Sequence, residues 1–204
     1  TKQKIILLND QNLADYIGLP EYIEKKKDAG QIPMAGYADL MRFALLEHYG
    51  GTWIDSTVYL TDPIPDMILN SDFFAVRNSL LLIDNPVLYP AWFLHAKKGN
   101  KTIREIRNVA FAYWLKNEHV IEYLLPNLII TLVVKSNSEV EKAIPYMNSD
   151  YSEYLVKVLA DDYSEEKWNW IKKLTGIHEL TYKLDAAVNR KDSFYQHVIA
   201  EKNK

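Results

Sequence analysis

The chain has 204 residues, of which 48% are hydrophobic, so it can bury a core and is predicted to form one domain over residues 1–204. Its net charge of -3 gives no electrostatic reason to expect a nucleic acid partner, and the absence of cysteine excludes a disulfide scaffold and thiolate metal sites. No apolar run approaches the roughly 20 residues of a membrane-spanning helix, and cytoplasmic localisation is the expectation. The chain starts at Thr1 without a methionine, so we expect an incomplete N-terminus.

The first fifty residues predict an α/β beginning. The apolar run KIILLND at 4–10 is typical of a buried strand, and residues 11–17 of a short helix. Residues 20–30 start with proline and end with glycine, as helices often do. Apolar residues recur at helical spacing within 35–51, where a double glycine ends the segment.

The rest of the chain predicts a mixed fold with a helical C-terminal part. Residues 52–60 alternate as a strand does, and three later segments predict a strand, a loop entering a strand, and an amphipathic helix: 71–78, 85–100 and 101–117. Helical periodicity dominates after residue 136, with predicted helices at 136–147, 150–163 and 185–204.

The stretch HYGGTWIDSTVYLTDP at 48–63 places one carboxylate, Asp55, among apolar and hydroxyl side chains. A helix over 39–49 advances about 15 Å and a strand over 52–56 returns about 13 Å. If the glycines reverse the chain, Asp55 and Thr57 lie level with the first turn of the helix, beside Asp39 and Arg42. A helix N-terminus and an arginine suit phosphate, and a carboxylate suits a sugar hydroxyl or a metal carried by a diphosphate.

These features together predict a nucleotide-sugar site, but a purely structural interpretation stays open. In that alternative Asp39 caps the helix, Arg42 pairs with Asp55, and the nearby tyrosines belong to the core.

The segment at 37–65, YADLMRFALLEHYGGTWIDSTVYLTDPIP, resembles glycosyltransferases that carry an Asp-x-x-Arg helix, a Gly-Gly turn and a D-x-D-type strand. These are the capsular polysaccharide synthesis proteins and, more distantly, the glucosyltransferase domains of large clostridial toxins. The segments FFAVRN, AWFLHAKKGN and TGIHELTYKL extend the resemblance over 5–184. It implies a GT-A fold, a Rossmann-type sheet that binds a nucleotide-sugar. Residues 4–10 match its second strand, which leaves open whether the first strand is missing.

The resemblance also implies roles for individual residues. Asp39 and Arg42 match the positions that contact the donor sugar and its phosphates, and Asp55 matches the first aspartate of the D-x-D. Thr57 replaces the second aspartate, so a Mn or Mg ion held by Asp55 and Thr57 is an open expectation. The candidate sets are as follows: catalytic Asp39, Arg42 and Asp55; donor-binding Asp39, Arg42, Gly51, Asp55, His178 and Lys183, the last two in a C-terminal lid.

By the same resemblance, the chain is expected to be a bacterial glycosyltransferase for capsule or lipopolysaccharide. The expected reaction is retaining hexosyl transfer from a nucleotide-sugar, UDP-linked by preference, to a glycan or glycolipid acceptor. It is placed in the cytoplasm, at the inner face of the membrane, with peripheral membrane association an open possibility. Acceptor contacts are expected in loops such as 85–100, where Trp92 and His95 are candidates.

Two other functions remain as alternatives. The first is a non-catalytic sugar- or nucleotide-binding remnant, favoured by Thr57 and by the apparent loss of the first strand. The second is a glycoside hydrolase with Asp39 and Asp55 as acid and base. Arg42 argues against the hydrolase, because a nearby cation is expected to lower a carboxyl pKa.

Overall fold

The computed structural model of the chain describes residues 4–9, 11–79, 85–184, 188 and 190–202. Helices in its first two thirds are α1 Leu13–Tyr16, α2 Glu21–Asp28, α3 Met34–Tyr49, α4 Asp66–Leu69, α5 Lys101–Lys116 and α6 Leu125–Lys135. Helices in its last third are α7 Ser138–Ala143, α8 Ser149–Ser152, α9 Tyr154–Lys157, α10 Glu165–Leu174 and α11 Phe194–Lys202. The strands are β1 Gly51–Ile54, β2 Val58–Leu60, β3 Phe73–Ala75, β4 Phe93–Ala96 and β5 Ile177–Glu179.

The strands form two small antiparallel sheets. In the first sheet β4 lies between β1 and β3, and Thr52 faces His95 across the β1–β4 pair. The second sheet pairs β2 with β5, and Val58 faces Glu179. Only residues 55–57 separate β1 from β2, so the chain passes from one sheet to the other at Asp55.

Three apolar clusters fill the interior. The largest packs α2, α3, α5 and α6 against the first sheet and contains Phe43, Leu94 and Ile130. A second cluster joins α9, α10 and α11 around Leu155, Trp168 and Phe194. The third lies between the two sheets, and its buried members are Ile64, Ile68, Phe74, Val76, Trp92, Phe93 and Ile177.

Local sequence signals explain the longest helices. The Asn100 side chain caps α5 by accepting hydrogen bonds from two backbone N–H groups, and the buried face of α5 includes Ile103, Ile106 and Trp114. Helix α3 ends at Gly50, which has φ 72°, a conformation that glycine adopts without the penalty of a Cβ atom. These two helices pack against each other in the largest cluster.

The expectation of a mixed α/β fold is confirmed, and the structure corrects several elements within it. Residues 4–9 form no strand, and Ile5 and Leu7 are 89% and 78% exposed, so the predicted buried strand is wrong there; Asp10 lies outside the described residues. An apolar run is buried as a strand only where a neighbouring strand pairs with it, and no described strand pairs with this segment.

Two further boundaries differ. The predicted strand over 52–60 is two strands, because the chain turns at 55–57, where the Val58 N–H donates to the Asp55 carbonyl over 2.9 Å. The predicted helix over 150–163 is broken into α8 and α9. Helices within 11–17, 20–30, 101–117 and 136–147 and strands within 71–78 and 85–100 are confirmed. The final helix is confirmed as α11, while 185–187, 189 and 203–204 lie outside the described residues.

Across the described ranges, none of the helices has the length and apolar character needed to cross a membrane.

Candidate functional site

Asp39 and Arg42 lie on the same face of α3. Three residues apart on a helix, they are neighbours, and Arg42 Nη2 lies 3.0 Å from Asp39 Oδ1. Arg42 is only 6% exposed, so this ion pair is largely removed from water. An arginine that is buried this deeply needs partners for most of its N–H groups.

Asp55 follows β1 and supplies the second partner. Its backbone N–H donates to the carbonyl of Trp92 over 3.0 Å, which fixes Asp55 at the end of the β1–β4 pair. Its Oδ1 accepts a hydrogen bond from Trp53 Nε1 over 2.6 Å and lies 3.2 Å from Arg42 Nη2. Asp55 therefore stands at a strand end, as the sequence predicts, and the predicted Arg42–Asp55 ion pair is present.

The guanidinium of Arg42 is held on several sides. Its Nη1 donates to the carbonyl of Ala91, and its plane lies over the ring of Trp53, 5.1 Å from the ring centroid. Its Nε is buried without a hydrogen-bond partner among the described residues. One cation thus serves two carboxylates, which leaves net negative charge beside one unused N–H donor.

The carboxyl of Asp39 differs from the expectation drawn from its arginine neighbour. Burial raises the pKa of Asp39 to about 6, and this effect outweighs the attraction of Arg42, while the charge of Asp55 raises the pKa further. Arg42 therefore lowers the pKa of Asp39 as expected, but the net pKa is raised, and a lowered carboxyl pKa does not argue against a hydrolase at Asp39. Perturbed carboxyl pKa values of this kind cluster at functional sites.

Asp39 does not stand at the start of its helix. Helix α3 begins at Met34, five residues before Asp39, and Pro33 precedes its first turn. The N–H groups of the helix start that precede the first hydrogen-bonded one, Tyr37 N–H, belong to residues 34–36, and Ala35 and Gly36 line the same groove as Asp39. Asp39 itself lies in the second turn, so its predicted place in the first turn is wrong. The prediction of a cap is wrong for the same reason.

Asp39, Arg42 and Asp55 line a groove of about 1730 Å³. Gly51 and Thr57 line the same groove, so five of the predicted site residues border one space. Gly51 has φ 100°, and a Cβ atom at this position would meet nothing within 4 Å. Another part of the groove wall comes from the C-terminal part of the chain and includes Glu153, Val156, Glu179, Leu180, Thr181 and Tyr182.

Glu179 is an acidic residue of this wall that the sequence analysis missed. Burial raises its pKa to about 8, and the charges of Glu153 and Asp55 add to the effect. The segment IHEL could have indicated Glu179, because His178 and Glu179 are consecutive residues of a strand. Because strand side chains alternate between two faces, only one of these two neighbours can point to the groove side.

The structure places His178 in the interior. Its side chain is fully buried, its Nε2 lies 3.0 Å from Thr61 Oγ1, and its ring packs near the rings of Tyr59 and Trp168. Burial lowers the pKa of His178 to about 4, so the ring is neutral near pH 7. It does not line the groove, and the geometry gives it no contact with a ligand there.

Lys183 also lies away from the groove wall. Its ammonium sits over the ring of Tyr182 at 5.7 Å from the centroid, and its side chain is exposed. It follows directly after groove residues Thr181 and Tyr182. The structure therefore brings Lys183 near the rim and not into the space beside Asp55.

Trp92 and His95 both line the groove and are 6% exposed. His95 Nδ1 lies 2.9 Å from Thr52 Oγ1, and burial lowers the pKa of this histidine. Trp92 Nε1 and His95 Nε2 are buried and lack hydrogen-bond partners among the described residues. Loop 85–100 thus supplies two residues of the groove lining whose ring nitrogens are buried and unpaired.

The side chains around Asp55 offer few ligands for a divalent cation. No group of three or more histidine, cysteine or acidic side chains arranged for a metal occurs in the described part of the chain. Asp55 Oδ1 is engaged by Arg42 and Trp53, whereas Oδ2 has no partner among the described residues. One carboxylate oxygen and the neutral hydroxyl of Thr57 fit Mg or Mn when substrate phosphates supply further ligands.

A family model described as capsular polysaccharide synthesis protein matches residues 1–198, a range that includes Asp39, Arg42, Asp55 and Glu179. A comparison with curated proteins finds no match.

Proposed function

The chain belongs to the family of capsular polysaccharide synthesis proteins, and from that premise we propose that it is a glycosyltransferase. It moves a sugar from a nucleoside diphosphate sugar to an acceptor hydroxyl. The observation that carries the proposal is the contact of Arg42 with both Asp39 and Asp55 at the wall of a groove large enough for such a donor. The proposal includes a GT-A-type fold, of which the two small antiparallel sheets would form a part.

The chemistry of the proposed reaction gives Arg42 its role. Negative charge develops on the leaving diphosphate as the glycosidic bond breaks, and a fixed cation in a partly dry site stabilises that charge. Asp39 and Asp55 hold the guanidinium in position, and its unpaired Nε–H is free to donate to a phosphate oxygen. The raised pKa of Asp39 favours its protonated form. When Asp39 is protonated it is neutral and no longer offsets the positive charge of Arg42.

Asp55 has a second task in this proposal. Its free Oδ2 accepts a hydrogen bond from a donor hydroxyl or, together with Thr57, holds a Mg or Mn ion that arrives with the diphosphate. A bound divalent cation supplies further charge stabilisation for the leaving group. Gly51, which begins β1 at the groove wall, leaves room for a ligand beside the backbone.

The remaining parts of the proposal rest on the family resemblance. The donor is a UDP-sugar, the transferred unit is a hexose with retained configuration, and the acceptor is a glycan or glycolipid of capsule or lipopolysaccharide. Synthesis is placed on the cytoplasmic side of the membrane with peripheral attachment. No nucleic acid partner is proposed, consistent with the net charge of -3.

Calorimetric titration of UDP, GDP and CMP, each with and without Mn²⁺, tests the donor site. We expect one nucleotide to bind, and binding to weaken at least about tenfold in Asp55→Ala, since a charge-assisted contact is worth about 1.5–3 kcal/mol. Asp72→Ala is the matched control, because this exposed carboxylate pairs with Lys97 and does not line the groove. If a folded sample binds none of the three nucleotides, the proposal is wrong and the non-catalytic remnant takes its place.

The hydrolase alternative is disfavoured by the position of Arg42. A glycoside hydrolase places its two carboxyl groups on either side of the scissile bond. Here Oδ1 of Asp39 and Oδ1 of Asp55 both contact the same Nη2 of Arg42, so the guanidinium occupies the space between them.

A further inference from the structure

Glu179 lies next to the turn that carries Asp55, although the two are far apart in the sequence. Across the second sheet Glu179 pairs with Val58, and the N–H of the following Leu180 donates to the carbonyl of Thr57 over 3.0 Å. The backbone N–H of Val58 in turn donates a hydrogen bond to the carbonyl of Asp55. Backbone pairing therefore fixes the position of Glu179 in the groove wall beside the candidate site.

The carboxyl of Glu179 is partly buried and has no hydrogen-bond or ion-pair partner within the described part of the chain. The charged groups that act on it are the carboxylates of Glu153 and Asp55, and Glu153 itself lies 3.8 Å from Lys157. With its pKa raised to about 8, the Glu179 carboxyl retains its proton near pH 7. A protonated carboxyl can both donate and accept a hydrogen bond.

Trp92, whose backbone contacts Asp55, gives a second, independent observation. Its carbonyl accepts the hydrogen bond from the Asp55 N–H, its side chain is 94% buried, and it lines the same groove. Its indole N–H has no partner among the described residues. A buried donor without a partner is destabilising, and a ligand with an acceptor oxygen would recover that lost hydrogen bond.

The types of these unpaired groups indicate the kind of ligand. A cation would need acceptors only, and an anion would need donors only. A sugar hydroxyl both donates and accepts, so it matches an indole N–H together with a carboxyl group. We propose that Glu179 and Trp92 bind hydroxyl groups of the transferred sugar, beside the Arg42 end of the groove that would take the diphosphate. This proposal rests on the proposed function and extends it to the sugar.

The test compares each nucleotide with its own sugar conjugates. Dissociation constants are measured by calorimetry for UDP against UDP-glucose, UDP-galactose and UDP-N-acetylglucosamine, and for GDP against GDP-mannose. We expect one conjugate to bind more tightly than its nucleotide, and Glu179→Ala to reduce that gain about tenfold without changing binding of the nucleotide. Glu179→Gln, which is neutral and keeps donor and acceptor atoms, should retain the gain within about twofold. Trp92→Phe should reduce it, as Glu179→Ala does.

Matched controls lie on α10, outside the groove lining. Glu166→Ala removes an exposed carboxylate and Trp170→Phe removes an exposed indole N–H, and neither should change any of the constants. Thermal unfolding of each variant shows whether it is folded, and the two Glu179 variants decide the question if Trp92→Phe does not fold.

The outcomes separate this proposal from the proposed function. If no nucleotide binds the wild type, both are overturned. If a nucleotide binds but no conjugate binds more tightly, or Glu179→Ala leaves the gain unchanged, only the assignment of Glu179 is overturned. If Glu179→Gln instead abolishes Mn²⁺-dependent binding of the nucleotide, Glu179 is a metal ligand and the hydroxyl assignment is wrong.

Discussion

Arg42 is a buried cation between two carboxylates, and substitution of this residue measures its contribution to the free energy of unfolding. We expect Arg42→Ala to lower the free energy of unfolding by about 3–5 kcal/mol, because it leaves Asp39 and Asp55 without their positive partner. Arg42→Lys should recover only part of this, since an ammonium cannot reproduce the planar fork that also reaches the Ala91 carbonyl. Urea denaturation at pH 7 measures all three proteins.

The exposed pair of Lys97 and Asp72, 2.7 Å apart, is the comparison for Arg42. Lys97→Ala should change the free energy of unfolding by less than about 1 kcal/mol, because solvent screens an exposed ion pair. Equal effects of Arg42→Ala and Lys97→Ala would mean that burial adds nothing to the contribution of Arg42.

Glu179 predicts a pH dependence of opposite sign to that of an ordinary ion-paired carboxylate. Its usual pKa is 4.5 and its folded pKa is about 8, so between these values the folded state holds a proton that the unfolded state has lost. Wild-type stability therefore falls as the pH rises from 4.5 to 8. Glutamine does not titrate. The free energy of unfolding of Glu179→Gln should therefore rise relative to that of the wild type between pH 4.5 and 8, on the order of 2 kcal/mol after allowance for solvent screening.

Urea denaturation at intervals from pH 4.5 to 8 measures this difference between Glu179→Gln and the wild type. The exposed Glu166→Gln should differ from the wild type by a constant amount across the same range. A constant difference for Glu179→Gln as well would show that the Glu179 carboxyl ionises normally in the folded protein.

The turn between α3 and β1 places Asp55 beside Arg42, and its two glycines are not equivalent. Gly50 has φ 72°, and a Cβ atom there would lie 2.5 Å from the backbone nitrogen of Lys98. Gly51 has φ 100° with open space around the same position. We expect Gly50→Ala to lower the free energy of unfolding by at least about 3 kcal/mol and Gly51→Ala to lower it by about 1–2 kcal/mol. Thermal unfolding measures both variants.

Gly36→Ala in α3 is the internal control for these two substitutions. Its Cβ atom would meet the Ile32 side chain at an ordinary 3.7 Å, and alanine favours a helix by about 0.5–1 kcal/mol over glycine. This variant should therefore be as stable as the wild type or more stable. If Gly50→Ala and Gly51→Ala lower the free energy of unfolding by similar amounts, the close approach of the Gly50 position to the Lys98 backbone does not determine the effect.

The elements that sequence predicted well are those fixed by neighbours in the chain. Helical spacing and the Gly-Gly pair were enough to place Arg42 near Asp55, because helix rise and strand rise set the distance. The buried strand at 4–10 failed because pairing depends on a distant partner. The sequence analysis named His178 and missed Glu179 for a related reason, since strand alternation shows that the two side chains face opposite sides of β5 but not which side meets the groove.

The second sheet joins the C-terminal helices to the candidate site. Strand β5 contributes Ile177 to the cluster between the sheets, and the His178 ring lies near Trp168 of the C-terminal cluster. The next residue, Glu179, reaches the groove. Loss of packing in the C-terminal part would therefore displace one wall of the groove, while Arg42 on α3 belongs to the other.

The buried His178 makes this arrangement sensitive to acid. Its folded pKa of about 4 lies below the usual 6.5, so between these values the unfolded state binds a proton that the folded state excludes. Stability present above pH 6.5 should thus fall as the pH falls toward 4, by about 3 kcal/mol at most. We expect His178→Phe to show a flatter dependence in urea denaturation between pH 4 and 7, at some cost near pH 7 from the lost contact with Thr61. The exposed His119→Gln should keep the wild-type slope, and an unchanged slope in His178→Phe would assign the acid sensitivity to other groups.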